Sequence, residues 1–277
     1  MGCGIEFLKW LGQSGRIPRE GRLLDIGESC LLCATQEEID EVLARHGCRL
    51  LPHDRWRIAE EFAYRSNLFA VDDLPTLLLG DVFSLSTVEY VSLDVVSSRY
   101  ADVFDINIHN LARSAHNSFD IVINFGTTEH LMNQYNAFKI MHEACKPGGY
   151  IFHQIPSTGY INHGYFCYNA LMFKELGEAN EYELLDLWFY GPNGDGNVLV
   201  NSTDYPGVLD DRKLRNNLEG FRKARVPNSL INVLFRKTSD REFRVGLEVK
   251  TAAGALDRNA RFTSRYIERG VGAAGAA

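Results

Sequence analysis

The sequence predicts an α/β fold, a doubly wound and mostly parallel sheet with helices on both faces. Apolar β-rich runs alternate with segments of helical spacing along most of the chain, a pattern typical of parallel sheets. The clearest unit is residues 119–156, in which a strand, a polar turn, an amphipathic helix, a Pro-Gly stop and a second strand follow one another. With 277 residues, 45% of them hydrophobic, the chain suits one elaborated domain.

Each predicted element has a local reason. The strands are short apolar runs bounded by polar or turn residues, at residues 22–27, 89–94, 101–108, 119–125, 150–155, 182–190 and 231–235. The helices show apolar residues at steps of three and four, at residues 36–46, 55–64, 129–145, 170–176 and 210–223. In the third helix, Leu131, Tyr135, Phe138, Met141 and Cys145 are predicted to form one buried stripe.

The chain is expected to divide into three parts. Residues 1–20 are predicted to form a helical segment or lid, residues 21–250 the main domain with an insertion at about 48–80, and residues 251–277 a flexible tail with little apolar bulk. A net charge of −7 argues against nucleic acid as a partner. Because no apolar run approaches the roughly 20 residues of a membrane span, we expect a cytoplasmic protein that does not cross a membrane. The sequence does not indicate an oligomeric state.

No metal site is predicted. The histidines show no HxH or HExxH spacing, and Cys30 and Cys33 are the only close cysteine pair. Without a second pair or nearby histidines, this spacing is weak evidence for zinc.

The turn after the fourth strand is chemically richer than a connector needs. It holds Asn124, Gly126, Thr127, Thr128, Glu129 and His130. Because ligands of open α/β sheets bind beyond the carboxyl ends of the strands, this turn is the first candidate site.

Four segments, in this order, resemble class I S-adenosylmethionine-dependent methyltransferases over about residues 21–238. They are LLDIG at 23–27, YVSLD at 90–94, FDIVINFGTTEH at 119–130 and KPGGYIFHQIP at 146–156. The resemblance implies a seven-stranded Rossmann-like sheet, S-adenosylmethionine as the cofactor and methyl transfer as the activity.

The resemblance also implies roles at the cofactor site. Asp94 would accept hydrogen bonds from the ribose hydroxyls, and Asp105 would accept one from the adenine amino group while Ile106 packs on the ring. The turn at Gly126 would face the methionine moiety. The cofactor-contact set that the resemblance implies is Asp25, Gly27, Glu28, Asp94, Asp105, Ile106, Asn124, Phe125 and Gly126.

The first motif departs from the family pattern, in which three glycines alternate. Only Gly27 is present, and Ser29 and Leu31 occupy the other two positions. A Cβ disfavours the left-handed turn that glycine allows. The resemblance therefore implies a cofactor that is held differently at its amino acid end, more weakly, or not at all.

The acceptor side is predicted from histidines and tyrosines. The resemblance implies that His130 lies beside the transferred methyl, where it is a candidate to take the acceptor's proton, the alternative being a bond to its own loop. Glu129 is interpreted as an acid of the helix's first turn. His163 is the second catalytic candidate. The predicted substrate-facing residues are His153, Tyr160, Tyr165 and Tyr168, with local packing, or a core position for His153, as the alternative.

These observations lead to one function and one alternative to it. The sequence predicts methyl transfer to an oxygen or nitrogen of a small molecule, for example a sugar or secondary metabolite. The alternative is a non-catalytic protein of the same fold that acts as a binding or scaffold subunit. An oxidoreductase and a hydrolase are disfavoured, because the GxGxxG and GxSxG motifs are missing.

Overall fold

The computed structural model describes residues 2–4, 7–10, 16, 20–32, 41, 44, 77–160, 163–190, 192–193, 196–197 and 229–246. The strands in chain order are β1 (Gly2–Gly4), β2 (Arg22–Ile26), β3 (Cys30–Leu32), β4 (Leu77–Leu78), β5 (Glu89–Asp94), β6 (Ala101–Val103), β7 (Phe119–Phe125), β8 (Cys145–Thr158), β9 (Glu183–Tyr190), β10 (Pro192–Asn193), β11 (Gly196–Asn197) and β12 (Ser229–Arg236). The helices are α1 (Leu79–Phe83), α2 (Gln134–Ala144) and α3 (Ala170–Asn180), with 3₁₀ turns at Arg113–Ala115 and Thr128–His130. Residues 7–10 are also helical.

The main sheet has seven strands in the order β6-β5-β2-β7-β8-β12-β9. The first five in this order pair in parallel, and β12 pairs antiparallel with both β8 and β9. The predicted mostly parallel, seven-stranded α/β fold is confirmed.

The strand β2 lies at the centre of the parallel part. Its residue Leu24 pairs with Val91 of β5 on one side and with Val122 of β7 on the other. The chain therefore leaves β2 for one side of the sheet and later crosses to the other. Such a switch point is where open α/β sheets have their binding crevice, at the carboxyl edge.

Both faces of the sheet are covered by apolar packing. On one face the buried side chains of α2 and α3, such as Ile140 and Phe173, pack on the sheet. On the other face, the second core joins Phe7 and Leu8 to residues of α1, and the Phe7 ring lies 4.6 Å from those of Phe125 and Phe152. Burial of these side chains fixes the sheet as a rigid support for its carboxyl edge.

The predicted start of the third helix, at residue 129, is wrong, because the corresponding helix α2 begins at Gln134. Residues Thr128–His130 form a 3₁₀ turn, and α2 begins at Gln134 because the side chain of Asn133 accepts a hydrogen bond from Asn136 N at 3.1 Å. Tyr135 is 52% exposed, so it does not belong to the buried stripe.

Two further boundaries differ from the predictions. The third strand ends at Val103, and Asp105 lies beyond it in a turn in which its Oδ1 accepts from Asn107 N at 2.8 Å. The N-terminal segment, predicted as helical, begins with the strand β1. This strand joins β3 and β4 in a small second sheet.

Several predictions lie outside the described residues. These are the helices at 55–64 and 210–223, the helix at 36–46 apart from the helical Glu41 and Ala44, most of the insertion at 48–80 and the tail at 251–277. Among the described residues, none of the helices is long and apolar enough to span a membrane.

Candidate active site at the carboxyl edge

The ends of β2, β5 and β7 meet at one edge. Gly27 N donates to Leu93 O at 2.9 Å, and the hydroxyl of Thr127 donates to Ile26 O. Gly27 and Gly126 have φ values of +83° and +67°, so that each strand turns away through a conformation that favours glycine. Together these bonds hold two backbone turns side by side at the switch point, where Gly27 is buried and Gly126 is partly exposed.

Asp94 is half-buried at the end of β5 and faces the turn after β2. Its Oδ2 accepts from Glu28 N at 2.9 Å and its Oδ1 from Val96 N at 3.0 Å. Each carboxylate oxygen has more than one acceptor direction. A vicinal diol such as a ribose therefore fits this carboxylate without displacing its backbone donors. The side chain of Glu28 is held by a hydrogen bond from Ser98 Oγ.

Asp25 lies fully buried beneath the same turn. Its Oδ2 accepts from Ser29 N at 3.0 Å and from the Tyr90 hydroxyl at 2.7 Å. Its Oδ1 has no hydrogen-bond partner among the described residues. Burial raises the pKa of this carboxyl to about 7, although the donors from Tyr90 and Ser29 lower it. The unpartnered oxygen suits an N–H or ammonium group of a ligand.

The missing glycines correspond to a change of backbone structure. Ser29 leads directly into β3, and Leu31 within it is 1% exposed. Cys30 pairs with Gly2 on one side and with Leu78 on the other. An extended strand therefore lies where the resemblance led us to expect a glycine loop, as side chains with a Cβ allow.

The predicted adenine pair follows β6. Asp105 is half-buried, with its Oδ1 engaged by the backbone N–H and the side-chain amide of Asn107. Ile106 is 3% exposed and belongs to the main core, and its carbonyl accepts from Asn136 Nδ2 at 2.7 Å. Little of the Ile106 side chain is available to a ligand, and the contacts of both residues with adenine remain predictions.

The predicted residues at the tip of β7 differ in accessibility. Asn124 is fully buried, and its amide donates to Thr128 Oγ1 at 2.9 Å and lies 3.2 Å from His153 Nδ1. Phe125 is 1% exposed and packs on the second core. Gly126 is partly exposed at the edge. Asn124 therefore stabilises the turn through buried hydrogen bonds, and Gly126 is the residue of the three that a ligand can reach.

Glu129 is the residue whose importance the sequence reasoning missed. It is 1% exposed, and neither carboxylate oxygen has a hydrogen-bond partner among the residues that the structure describes. Burial raises its pKa to about 7. Buried polar groups in proteins are nearly always paired, and an exception calls for a functional explanation. The local signal in the sequence was an acid beside a histidine in a turn that already held several polar residues.

His130 and His163 lie on the exposed side of Glu129. Their Nε2 atoms lie 3.9 and 3.8 Å from Glu129 Oε1, and the two rings are 5.0 Å apart. Burial, followed by the neighbouring His163, lowers the pKa of His130. The structure thus brings the two predicted catalytic histidines together around a carboxylate.

The loop after β8 returns over this turn. Tyr165 N donates to Glu129 O at 2.6 Å, and Gly164 has a φ of +72° at a point where a Cβ would lie 2.8 Å from Glu129 Cγ. Tyr160 lies 5.5 Å from the His163 ring, and the Tyr165 side chain is 68% exposed. Of the three predicted substrate-facing tyrosines, Tyr160 therefore borders His163, and Tyr165 has an exposed side chain on the same loop.

The other two predicted substrate residues are buried. Tyr168 is 4% exposed, and its hydroxyl donates to Gln134 Oε1 at 2.7 Å. His153 is 1% exposed, its ring lies 5.1 Å from that of Phe173, and burial lowers its pKa to about 3. The structure places His153 in the core as a neutral imidazole, which was the alternative in the sequence analysis, and its contact with substrate stays a prediction.

A cavity of about 440 Å³ lies between α2, α3 and residues 243–246. Tyr168, Phe138 and Leu176 line it, whereas none of the residues at the ends of β2 and β5 does. We therefore do not assign the cofactor to this cavity.

The fold is that of an α/β protein with a mostly parallel seven-stranded sheet, and the polar residues described above lie at the carboxyl edge of this sheet. A family model described as "Methyltransferase domain" matches residues 6–198. The chain belongs to this methyltransferase family, and the membership confirms the predicted cofactor, S-adenosylmethionine.

Known sequences and structures add the following. No curated protein matches the chain in sequence. The structure of the YcgJ protein of Bacillus subtilis is similar to this chain, with 13% sequence identity and a TM-score of 0.41. The match covers 85% of this chain and 99% of YcgJ. A second similar structure is phosphoethanolamine N-methyltransferase 2 of Haemonchus contortus, which was solved in complex with S-adenosyl-L-methionine. It has 12% sequence identity and a TM-score of 0.43, and the match covers 84% of this chain and 52% of that protein.

Proposed function

We propose that this protein transfers the methyl group of S-adenosylmethionine to an oxygen or nitrogen atom of a small-molecule acceptor. The observation that carries the proposal is the arrangement along one sheet edge. Asp94 and the glycine turns lie at the ends of β5, β2 and β7, and Glu129 with its two histidines follows directly after β7. A cofactor side and an acceptor side are thus neighbours, as group transfer requires.

On the cofactor side, Asp94 would hold the ribose hydroxyls, and the turns at Gly27 and Gly126 would allow close approach of the backbone. The unpartnered Oδ1 of Asp25 supports a ligand N–H group at the amino acid end, directly or through water. When bound, S-adenosylmethionine supplies a methyl group on a positively charged sulfur.

On the acceptor side, His130 and His163 would face the atom that receives the methyl group and orient it. Tyr160 beside His163 and the exposed Tyr165 of the same loop offer aromatic surface and hydroxyl groups, which suit a small polar or aromatic molecule such as a sugar or secondary metabolite. The net charge of −7 supports such an acceptor over nucleic acid. We also propose a cytoplasmic location.

The test is calorimetric titration of the full chain with S-adenosylhomocysteine. Asp94→Asn should weaken binding by about 10- to 100-fold, because hydrogen bonds to a charged group contribute about 1.5–3 kcal/mol. The matched control is Asp186→Asn on β9, at the far end of the sheet, which should bind like the parent. Absence of binding by the parent protein would overturn the proposal and favour the non-catalytic alternative.

A second measurement addresses the acceptor side. His163→Ala should bind S-adenosylhomocysteine normally and lose methyl transfer to any acceptor that the parent methylates. Equal turnover by parent and variant would remove His163 from the site.

A further inference from the structure

We infer that Glu129, His130 and His163 form a binding site for a divalent transition-metal cation of the zinc type. The use of this cation in methyl transfer rests on the proposed function, whereas its binding does not.

The three side chains are spaced slightly more widely than the ligands of a bound metal ion. One ligand atom from each, a carboxylate oxygen or a ring nitrogen, lies within 4.8 Å of the other two. In tetrahedral zinc sites, bonds of about 2.0–2.2 Å place neighbouring ligand atoms about 3.4 Å apart. The distances of 3.8 and 3.9 Å from Glu129 Oε1 to the two imidazoles are therefore close to this spacing. Small side-chain rotations would complete it.

The carboxylate provides an independent argument for a cation. Glu129 is 1% exposed and has no hydrogen-bond partner in the described part of the chain. An unpaired buried carboxylate is costly, and among the described residues the metal-ligating side chains beside it are two imidazoles. A metal ion between the three groups would satisfy the carboxylate and both imidazoles at once.

The backbone holds the two halves of the site together. Both Tyr165 N and Phe166 N donate to the carbonyl of Glu129, at 2.6 and 3.3 Å. Gly164, between His163 and these donors, lies against the Glu129 side chain without room for a Cβ. His163 is therefore brought to Glu129 by main-chain contacts that do not depend on a metal.

The donor set selects the kind of ion. Two imidazoles and one carboxylate suit zinc, iron, cobalt or manganese, whereas magnesium and calcium favour all-oxygen sites. With side-chain exposures of 42% and 51%, His130 and His163 face the outside of the site. Three protein ligands with an open side are typical of catalytic zinc sites.

The open side would accept an acceptor hydroxyl. Coordination to an ion held by Glu129, His130 and His163 would lower the pKa of the hydroxyl, and the released proton would pass to solvent. The oxygen would then be the nucleophile for the methyl group that S-adenosylmethionine supplies, and the neutral thioether would be the leaving group. This deepens the proposed function by favouring oxygen acceptors over nitrogen acceptors.

The test uses the full chain, stripped with a chelator and titrated with Zn²⁺ by calorimetry and with Co²⁺ by visible absorption. We expect Glu129→Gln and His163→Ala each to weaken Zn²⁺ binding by more than the roughly 10- to 100-fold loss typical of an outer-sphere partner. The matched control is His116→Ala, which removes an imidazole 3.7 Å from Glu143 outside this cluster. It should bind like the parent.

Other results would overturn the inference. They are absence of Zn²⁺ binding, equal binding by all three variants, or a clear preference for Mg²⁺. Titration of the same samples with S-adenosylhomocysteine separates the two proposals. Zn²⁺ binding that depends on Glu129 without cofactor binding keeps the metal site and removes the methyltransferase proposal.

Discussion

Two buried ionisable side chains, Lys237 and Glu129, differ in whether the described residues supply them with hydrogen bonds. Each is 1% exposed. The Lys237 ammonium donates to Asn117 Oδ1, His142 O and Cys145 O at 2.8–2.9 Å. Glu129 has no hydrogen-bond partner among the described residues.

The difference separates a structural charge from a functional one. Lys237 neutralises and caps the carboxyl end of α2, where backbone carbonyls lack helical partners. Although burial lowers its pKa, its three hydrogen bonds compensate for the lost water. The Glu129 carboxylate has no such hydrogen bonds from the described residues, so a ligand that paired with it would stabilise it. We expect mutation to affect stability at the first residue and function at the second.

The largest effect is expected at Lys237. Lys237→Met would leave two carbonyls and an amide oxygen without their donor, and the free energy of unfolding should fall by about 3 kcal/mol or more. Chemical denaturation measures this loss. The control is Lys174→Met, since Lys174 lies on α3 in a surface pair with Glu178 and should change stability by less than about 0.5 kcal/mol. Equal losses in both variants would break the comparison.

Asp25 is a third buried ionisable side chain, and one of its two carboxyl oxygens has no hydrogen-bond partner among the described residues. Its carboxyl has a pKa of about 7 in the folded state, raised by burial from 3.8. Between these values the folded protein retains a proton that the unfolded chain has lost, so stability falls as the pH rises through this window. Asp25→Asn has no carboxyl group to titrate and so removes this fall. The free energy of unfolding of the variant relative to that of the parent should therefore be higher at pH 8 than at pH 4, by on the order of 2–4 kcal/mol.

A second substitution at this site has the opposite sign. Tyr90→Phe removes a donor to Asp25 that stabilises the ionised carboxylate, and so it should cost more stability at pH 8 than at pH 4. Thermal unfolding across this pH range tests both variants. Parallel profiles for Asp25→Asn and the parent would show that Asp25 does not titrate in the window.

Two glycines with positive φ, one against Glu129 and one in open space, test how closely the loop after β8 packs on Glu129. Gly164 has a φ of +72° with Glu129 atoms at 2.8 and 2.9 Å from a Cβ, whereas Gly148 has a φ of +84° and no atom within 4 Å. Gly148→Ala should cost only backbone strain, about 1–2 kcal/mol. Gly164→Ala should cost about 1 kcal/mol more and also abolish methyl transfer, because it displaces Glu129. Equal stability and retained activity in both variants would contradict the packing described for the return loop.

The smallest change in stability is expected at Glu129 itself. Glu129→Gln removes a carboxylate that no donor among the described residues stabilises. In the presence of a chelator, the free energy of unfolding should therefore stay within about 1 kcal/mol of the parent or rise. Methyl transfer should nevertheless be lost. A destabilisation as large as that of Lys237→Met would show that Glu129 is a structural charge after all.

The strands of the sheet were predictable because their signal is local. Runs such as residues 119–125 and 231–235 are apolar, β-rich and bounded by polar residues, and the structure has strands at both places. Positions such as Asp94 and Gly126, at strand ends, followed from the same patterns. The start of α2 was missed because the turn at Glu129 also carries helix-forming residues, and only the Asn133 cap decides where the helix begins.

By itself, the sequence determined the alternation of strands and helices, the glycine and acids at the ends of the strands and the loss of two glycines from the first motif. Only the tertiary structure decided that Ser29 leads into a strand of a second sheet, that His153 is buried in the core, and that the loop from His163 closes over Glu129. The reason is that burial and unmet hydrogen bonds depend on segments far apart in the chain, whose approach leaves no periodic or spacing signal in either segment.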